Sequence, residues 1–135
     1  MPVGRCVSRA NKVLVVEDHP VNRLVITSML ARLGCKVDVA EDGAQSVSAC
    51  RNTHYDLILM DLQMPVMDGF EATTQIRAMS TNAKEYTPIV AVTANSTEGV
   101  KEQCFSVGMD EFHTKPLGLE TLNAILKRTA TMARA

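Results

Sequence analysis

Five short runs rich in β-branched and aliphatic residues punctuate the chain: "KVLVV" (12–16), "KVDVA" (36–40), "DLILM" (56–60), "PIVAV" (88–92) and the weaker "EFHT" (111–114). Between them the apolar residues recur with a helical period. Val21, Leu24, Val25, Ser28, Met29 and Leu33 fall on one helix face, and His19, Pro20 and Gly34 read as N-cap, first helical residue and stop, so a helix is expected at 20–33. Ala44, Val47 and Cys50 mark a second helix. Phe70, Thr73, Ile76 and Arg77 mark a third, Val100, Cys104 and Val107 before Gly108 a fourth, and Leu119, Leu122, Ile125 and Leu126 a fifth. The unit is strand then helix, five times. Parallel strands need a crossover between them, so this alternation predicts an α/β fold: a doubly wound, five-stranded parallel sheet with helices on both faces. In such a sheet ligands sit at the carboxyl ends of the strands.

The chain of 135 residues is the length of one domain, placed here at 11–129 with 1–10 and 130–135 as loose ends. Its 14 basic and 15 acidic residues leave a net charge of -1, which gives no overall field for nucleic acid or an anionic membrane. No apolar run approaches the ~20 residues of a membrane helix, and "MPVGRCVSRANK" lacks the apolar middle of a signal peptide, so a cytoplasmic domain is expected. Cys6, Cys35, Cys50 and Cys104 form no Cys-x-x-Cys pair and read as free or buried thiols.

Function is then sought at the strand ends. The first strand delivers Glu17 and Asp18, the third Asp61, the fourth Thr93 and the fifth Lys115. Taken singly, Asp18 reads equally well as a helix cap, Thr93 as a loop tie and Lys115 as a surface charge. The fold rule brings these ends side by side, and carboxylates ~4 Å apart repel by about 4 kcal/mol per pair at an effective dielectric of about 20. Lys115 offers one compensating charge, and a hard divalent cation with oxygen ligands offers two; Mg²⁺ suits such a site. Of the three acidic residues in "YDLILMDLQMPVMDGFEAT", Asp68 opens an Asp-x-x-Glu helix start and reads as a cap, and Asp56 lies at the opposite strand edge. Asp61 alone is placed to act as a nucleophile toward phosphorus.

With "VLVVEDHPVNR", "LILMDLQMPVMDG", "VAVTAN" and "TKP" in order at successive strand ends, the sequence resembles the receiver domain of two-component response regulators from Lys12 to Lys127. The fuller phrases "MDLQMPVMDGFEAT" and "VAVTAN" are most similar to receivers of hybrid histidine kinases. The resemblance implies a flavodoxin-like sheet of order 2-1-3-4-5 and transfer of a phosphoryl group from a phosphohistidine onto Asp61 with Mg²⁺. It implies that Glu17, Asp18, Asp61 and the backbone carbonyl of Gln63 hold the metal, and that Lys115 and Thr93 bind phosphoryl oxygens. It also implies a cis bond before Pro116, a lifetime-tuning role for Gln63 and Asn95, and a switch role for Phe112, which lacks the hydroxyl of the tyrosine found in some relatives. His19, where hybrid-type receivers often carry asparagine, reads as a cap. Met60, Met64 and Met67 read as packing. The implied partners are a histidine kinase or a histidine-phosphotransfer protein, with no direct nucleic-acid or membrane contact, and a phosphorylation-dependent dimer is compatible with this reading.

Three rival functions remain to be weighed. A haloacid-dehalogenase-like, Mg-dependent phosphohydrolase carries a second aspartate two residues after its nucleophile, where this chain has Gln63. A flavin or nucleotide module wants a small-residue phosphate loop, and "EDHPVN" is acidic instead. A phosphorylation-independent docking module would be expected to have lost Asp61 or Lys115, and both are present.

Overall fold

The first strand, β1 (Lys12–Val16), shows why both faces of the sheet are covered: Val13 and Val15 enter one apolar layer, Leu14 and Val16 the other, and none is more than 1% exposed. Side chains of a strand alternate between faces, so an all-apolar strand is stable only between two layers. In this computed structural model, which describes residues 11–79, 86–94 and 97–134, β1 is followed by α1 (Pro20–Arg32), β2 (Lys36–Ala40), α2 (Gly43–Asn52) and β3 (Leu57–Asp61). Then come α3 (Gly69–Met79), β4 (Ile89–Thr93), α4 (Glu98–Val107), β5 (Glu111–Thr114) and α5 (Leu119–Arg134). All pairings are parallel and the strand order is 2-1-3-4-5, as the resemblance implied. The expected N-terminal tail, 1–10, lies outside the described residues.

Two cores result. On one side Leu14, Val16, Ile58, Met60, Ile89 and Ala91 meet Val47 of α2, Ile76 of α3 and Cys104 of α4. On the other, Val13, Val15, Leu57, Leu59, Val90 and Val92 meet Ile26 and Leu30 of α1 and Leu122, Ile125 and Leu126 of α5. Helix α1 departs from the single apolar face expected of it. Ile26 and Leu30 are buried, with Met29 and Leu33 packed beside them, whereas Val21, Leu24 and Val25 face solvent. The helix is apolar on two sides, and the sheet takes the side centred on Ile26 and Leu30. His19 holds the cap position, but its side chain makes no capping bond; its carbonyl accepts from the Arg23 N–H at 3.0 Å. Pro20 removes one of the donors that a cap would otherwise have to satisfy. At the other end of the chain α5 runs through Arg134, into the stretch 130–135 read as a loose end, and buried Thr129 donates back to the Ile125 carbonyl at 2.8 Å within it. Cys35, Cys50 and Cys104 are free thiols, and burial raises the pKa of each.

The amino edge of the sheet is tied by carboxylates. Asp56 accepts the Lys12 N–H at 2.8 Å, and its own N–H donates to the Lys12 carbonyl at 2.8 Å, which registers β3 against β1. Asp110 accepts from Arg77 at 2.9 Å, from the Ile89 N–H at 2.9 Å and from the Tyr86 hydroxyl. Arg77 also donates to the carbonyls of Thr87 at 2.7 Å and Gly108 at 2.9 Å, and lies over the Tyr86 ring. Burial, then the bond to Asp110, push the Tyr86 phenol up to about 12. This one guanidinium joins α3, the approach to β4 and the approach to β5. Arg77→Met is expected to cost about 2–4 kcal/mol in urea unfolding, because it strands a half-buried Asp110 and two carbonyls. An Arg77→Met, Asp110→Asn double-mutant cycle should show coupling above ~1 kcal/mol.

Candidate functional site

Four strand ends converge at the carboxyl edge. β1 runs directly into Glu17 and Asp18, and pairing of β1 with β3 at Val16 and Met60 brings Asp61 alongside them. Carboxylate oxygens of Glu17, Asp18 and Asp61 lie within 4.8 Å of one another. Glu17 and Asp61 are buried, at 2% and 5% exposure, while Asp18 is open to solvent. β4 ends beside them in buried Thr93, whose carbonyl accepts the Lys115 N–H at 2.8 Å and so fixes where the lysine leaves β5. The Lys115–Pro116 peptide is cis.

Lys115 answers the carboxylates unequally. Its Nζ lies 2.7 Å from Glu17 Oε1 and 3.3 Å from Asp61 Oδ2. Glu17 takes a second donor, the His19 N–H at 3.1 Å, whereas the Gln63 N–H reaches Asp61 at a longer 3.4 Å. Glu17 is thus the better-satisfied carboxylate and Asp61 the more exposed in energy. Burial, then the charge of Glu17, raise the Asp61 carboxyl to about 6, with Lys115 and the Gln63 N–H pulling back. For Lys115, burial opposes the charged form, but the bonds and charges of Glu17 and Asp61 outweigh it and its pKa is raised. At neutral pH the arrangement is a buried, ionised, poorly bonded carboxylate facing a cation, which is the chemistry of an oxygen nucleophile.

Gln63 is exposed just beyond Asp61, and Phe112 is half-buried against the core under α2, α3 and α4. Pro116 is exposed. Asn95 lies outside the described residues. Asp68 caps α3 by accepting the Glu71 N–H at 2.9 Å, and Asp56 serves the opposite edge. Met60 is buried in the core, and Met64 and Met67 pack against it.

Several residues that position the site were not singled out from the sequence. A Cβ at Gly69 would sit 2.3 Å from the Asp61 carbonyl, and one at Gly43 would sit 2.3 Å from the Met67 carbonyl. Both glycines therefore let other backbone approach the loop from Leu62 to Asp68, which is held by Gly69 N–H to Leu62 at 3.1 Å and Gly43 N–H to Met67 at 3.0 Å. Within that loop the Met67 N–H closes on the Pro65 carbonyl at 2.7 Å, and Val66 between them has φ 71. This is a tight three-residue turn in the left-handed region, which a β-branched residue occupies at a cost of order 1–3 kcal/mol. The "MDG" and "EDG" triplets hinted at the glycines, but nothing in a one-letter string marks Val66. Arg23 donates to the Glu17 carbonyl at 2.9 Å, tying α1 to the same edge.

In metal-free buffer the Asp61 carboxyl is expected to titrate near 6 by carbon NMR. Lys115→Met should move the midpoint higher, since the lysine favours the carboxylate. A midpoint below 4 in the parent would contradict the geometry described.

A family model for the response regulator receiver domain matches residues 13–127. The chain is 41% identical over 119 residues to hybrid signal transduction histidine kinase G of Dictyostelium discoideum, covering 87% of this chain and 3% of that protein. It is 40% identical over 116 residues to two-component response regulator 24 of Arabidopsis thaliana, covering 85% of this chain and 81% of that protein. The chain spans only a small part of such kinases, 3% of that Dictyostelium protein and 16% of probable histidine kinase 1 of Oryza sativa subsp. indica. Among solved structures, the receiver domain of a Pseudomonas aeruginosa sensor histidine kinase, which has magnesium coordinated in its active-site cleft, superposes with a TM-score of 0.82 at 42% identity, covering 90% of this chain and 98% of that one. A Saccharomyces cerevisiae response regulator receiver, crystallised with a histidine phosphotransfer protein, superposes with a TM-score of 0.84 at 29% identity, covering 93% and 92%.

Proposed function

The chain belongs to the response regulator receiver domain family, and from that membership we propose that it accepts a phosphoryl group on Asp61 from a protein phosphohistidine. The observation that carries this reading is the convergence of Glu17, Asp18 and Asp61 oxygens within 4.8 Å, opposed by one Lys115 Nζ at 2.7 and 3.3 Å. Three negative groups and one positive leave two negative charges uncompensated, and the donors are hard oxygens, which fits Mg²⁺. Glu17, Asp18, Asp61 and the backbone carbonyl of Gln63 would hold it. When bound, the ion neutralises the carboxylates and the charge that develops on the phosphoryl oxygens.

The transfer balances simply. An Asp61 carboxylate oxygen attacks phosphorus, the phosphorus–nitrogen bond of the donor breaks, and its electron pair stays on the imidazole. Lys115 binds a phosphoryl oxygen from its place 3.3 Å from Asp61, and the Thr93 hydroxyl binds another. The added charge draws Thr93 inward, and Phe112, already half-buried, follows into the space behind it. The changed surface lies at β4, α4 and β5. Loss of the phosphoryl group needs an oriented water. Gln63 and Asn95 are amides that can orient one but cannot take its proton at neutral pH, so hydrolysis is slow. The absence of a carboxylate at position 63 weighs against the phosphohydrolase reading, and the close pairing of Lys115 with both Glu17 and Asp61 weighs against a purely passive docking module. Among the described residues no helix is long and apolar enough to cross a membrane. The donor is a histidine kinase or histidine-phosphotransfer protein, a reading supported by the hybrid-kinase relatives.

Loading with a small phosphodonor in Mg²⁺, followed by removal of the donor, tests this. The parent should retain an acid-stable, base-labile phosphoryl group, Asp61→Ala should take none, and Gln63→Ala should change the decay rate severalfold. Normal loading of Asp61→Ala would remove Asp61 from its role. A Glu17→Ala, Asp18→Ala variant that binds Mg²⁺ as tightly as the parent by titration would remove the metal assignment.

A further inference from the structure

Strand β2 stands at one end of the sheet, with β1 as its only strand neighbour among the described residues. The Lys36 N–H donates to the Asn11 carbonyl at 2.8 Å and the Ala40 carbonyl accepts the Glu17 N–H at 3.0 Å, so Lys36, Asp38 and Ala40 turn their backbone groups toward β1. Val37 and Val39, which alternate with them, turn theirs outward. The side chains alternate as well. Val37 packs with the core under α1 and α5, whereas Asp38 lies on the other face, where it accepts the Tyr55 hydroxyl at 2.6 Å, and Lys36 shares that face. Lys36, Asp38 and Val39 are exposed. Val39 and the short side chains of Ala44, Ser48 and Ala49 border a groove of about 470 Å³, which leaves room beside the strand for an incoming one. We propose that β2 pairs antiparallel with β2 of a second copy of this chain, about a twofold axis at Val37, to make one continuous sheet.

Charge selects both the partner and the register. An open edge strand is ordinarily kept from pairing by charged side chains, lysine above all. Here the lysine carries its own complement two residues on. In an antiparallel pair centred on Val37, Lys36 stands opposite Asp38 of the second copy and Asp38 opposite its Lys36, on one face of the joined sheet. The Tyr55 hydroxyl occupies one oxygen of Asp38, Oδ2, and leaves Oδ1 for the incoming ammonium. An axis at Asp38 would pair Val37 with Val39 but set the carboxylate against its own copy, and like charges directly opposite repel. An axis at Val39 would set Asp38 against Ala40 and Lys36 against Asp42, whose carboxylate already caps α2 by accepting the Gln45 N–H at 2.8 Å. Only the Val37 axis matches both charges within the strand. Because the two copies of β2 run in opposite directions, the two acidic clusters lie at opposite ends of the joined sheet and both stay open. The pairing is independent of the phosphoacceptor reading.

The test uses the full chain, with sedimentation velocity to follow the dimer and hydrogen exchange to follow the Val37 and Val39 amides from micromolar to millimolar protein, since so small an interface makes a weak complex. The parent should dimerise within that range, and both amides should gain protection as it does. Lys36→Glu and Asp38→Lys each set like charges opposite across the axis, and each alone should weaken the dimer at least tenfold while keeping the parent's circular dichroism. Mixed in equal amounts, the two variants should associate again to within about threefold of the parent, because in the mixed pair every charge meets its opposite. Should Asp38→Lys lose its fold along with the Tyr55 bond, Lys36→Glu and the amide readout decide between them. A parent that stays monomeric at millimolar concentration would overturn the pairing, as would a dimer indifferent to both substitutions. Two variants that stay apart when mixed would overturn the register at Val37. Amides protected equally at every concentration would assign the edge to another segment of the same chain and overturn the pairing also.

Discussion

One ammonium group holds the carboxyl edge of this sheet together. Glu17 and Asp61 are nearly sealed from water, and Asp18 stands at the entrance beside them. Without Lys115 the two buried carboxylates would repel each other in a medium that screens them poorly. The lysine is aimed by backbone, through its N–H on the Thr93 carbonyl at 2.8 Å, so β4 and β5 position the charge that makes the end of β1 tolerable beside the end of β3. Its closer bond is to Glu17, which leaves Asp61 ionised but under-bonded. The same asymmetry that compensates Glu17 closely leaves Asp61 with the longer contact to the lysine.

The two edges of the sheet divide the labour. At the amino edge, carboxylates tie backbone and side chains: Asp56 accepts the Lys12 N–H, and Asp110 accepts from Arg77, Tyr86 and the Ile89 N–H. At the carboxyl edge, carboxylates crowd one another and Val66 sits in a conformation that costs energy. Stability gathered at one edge and in the two cores lets the other edge remain unfavourable, since strain and repulsion persist only where the surroundings over-determine them. Gly43 and Gly69 are the joints between the two regimes, because they let the N-termini of α2 and α3 press against the loop that carries the site.

The parts of this arrangement that follow from periodicity and chain order were legible in the sequence. Strands β1, β3 and β4 are apolar on both faces, which only a buried parallel sheet explains, and the polar residues that terminate them fall at one edge by topology alone. Asp68 and Asp56 could be set aside for the same reason, one by its Asp-x-x-Glu spacing and the other by its edge. What escaped was local and three-dimensional. The Arg77 cluster joins residues 31 and 33 positions apart, and no spacing rule links an arginine at a helix end to an aspartate before a distant strand. The inequality of Lys115 between Glu17 and Asp61 is a matter of tenths of an ångström. Val66 looks like any loop valine until its φ is known.

Helix α1 shows why periodicity alone misplaced an apolar face, and what the error is worth. A helix laid on a doubly wound sheet needs one apolar stripe, and Ile26 and Leu30, flanked by Met29 and Leu33, supply it. Val21, Leu24 and Val25 form a second stripe on the far side, so a count of apolar matches finds a convincing face that the fold does not use. Burial offsets the cost of placing such side chains in water, and the described residues bury none of these three. The surplus is also not scattered along the helix: it occupies the turns next to Asp18 and stops before Ser28. Packing accounts for the Ile26 face of α1 and leaves Val21, Leu24 and Val25, at the end of the helix that borders the carboxylate cluster, unexplained by the core.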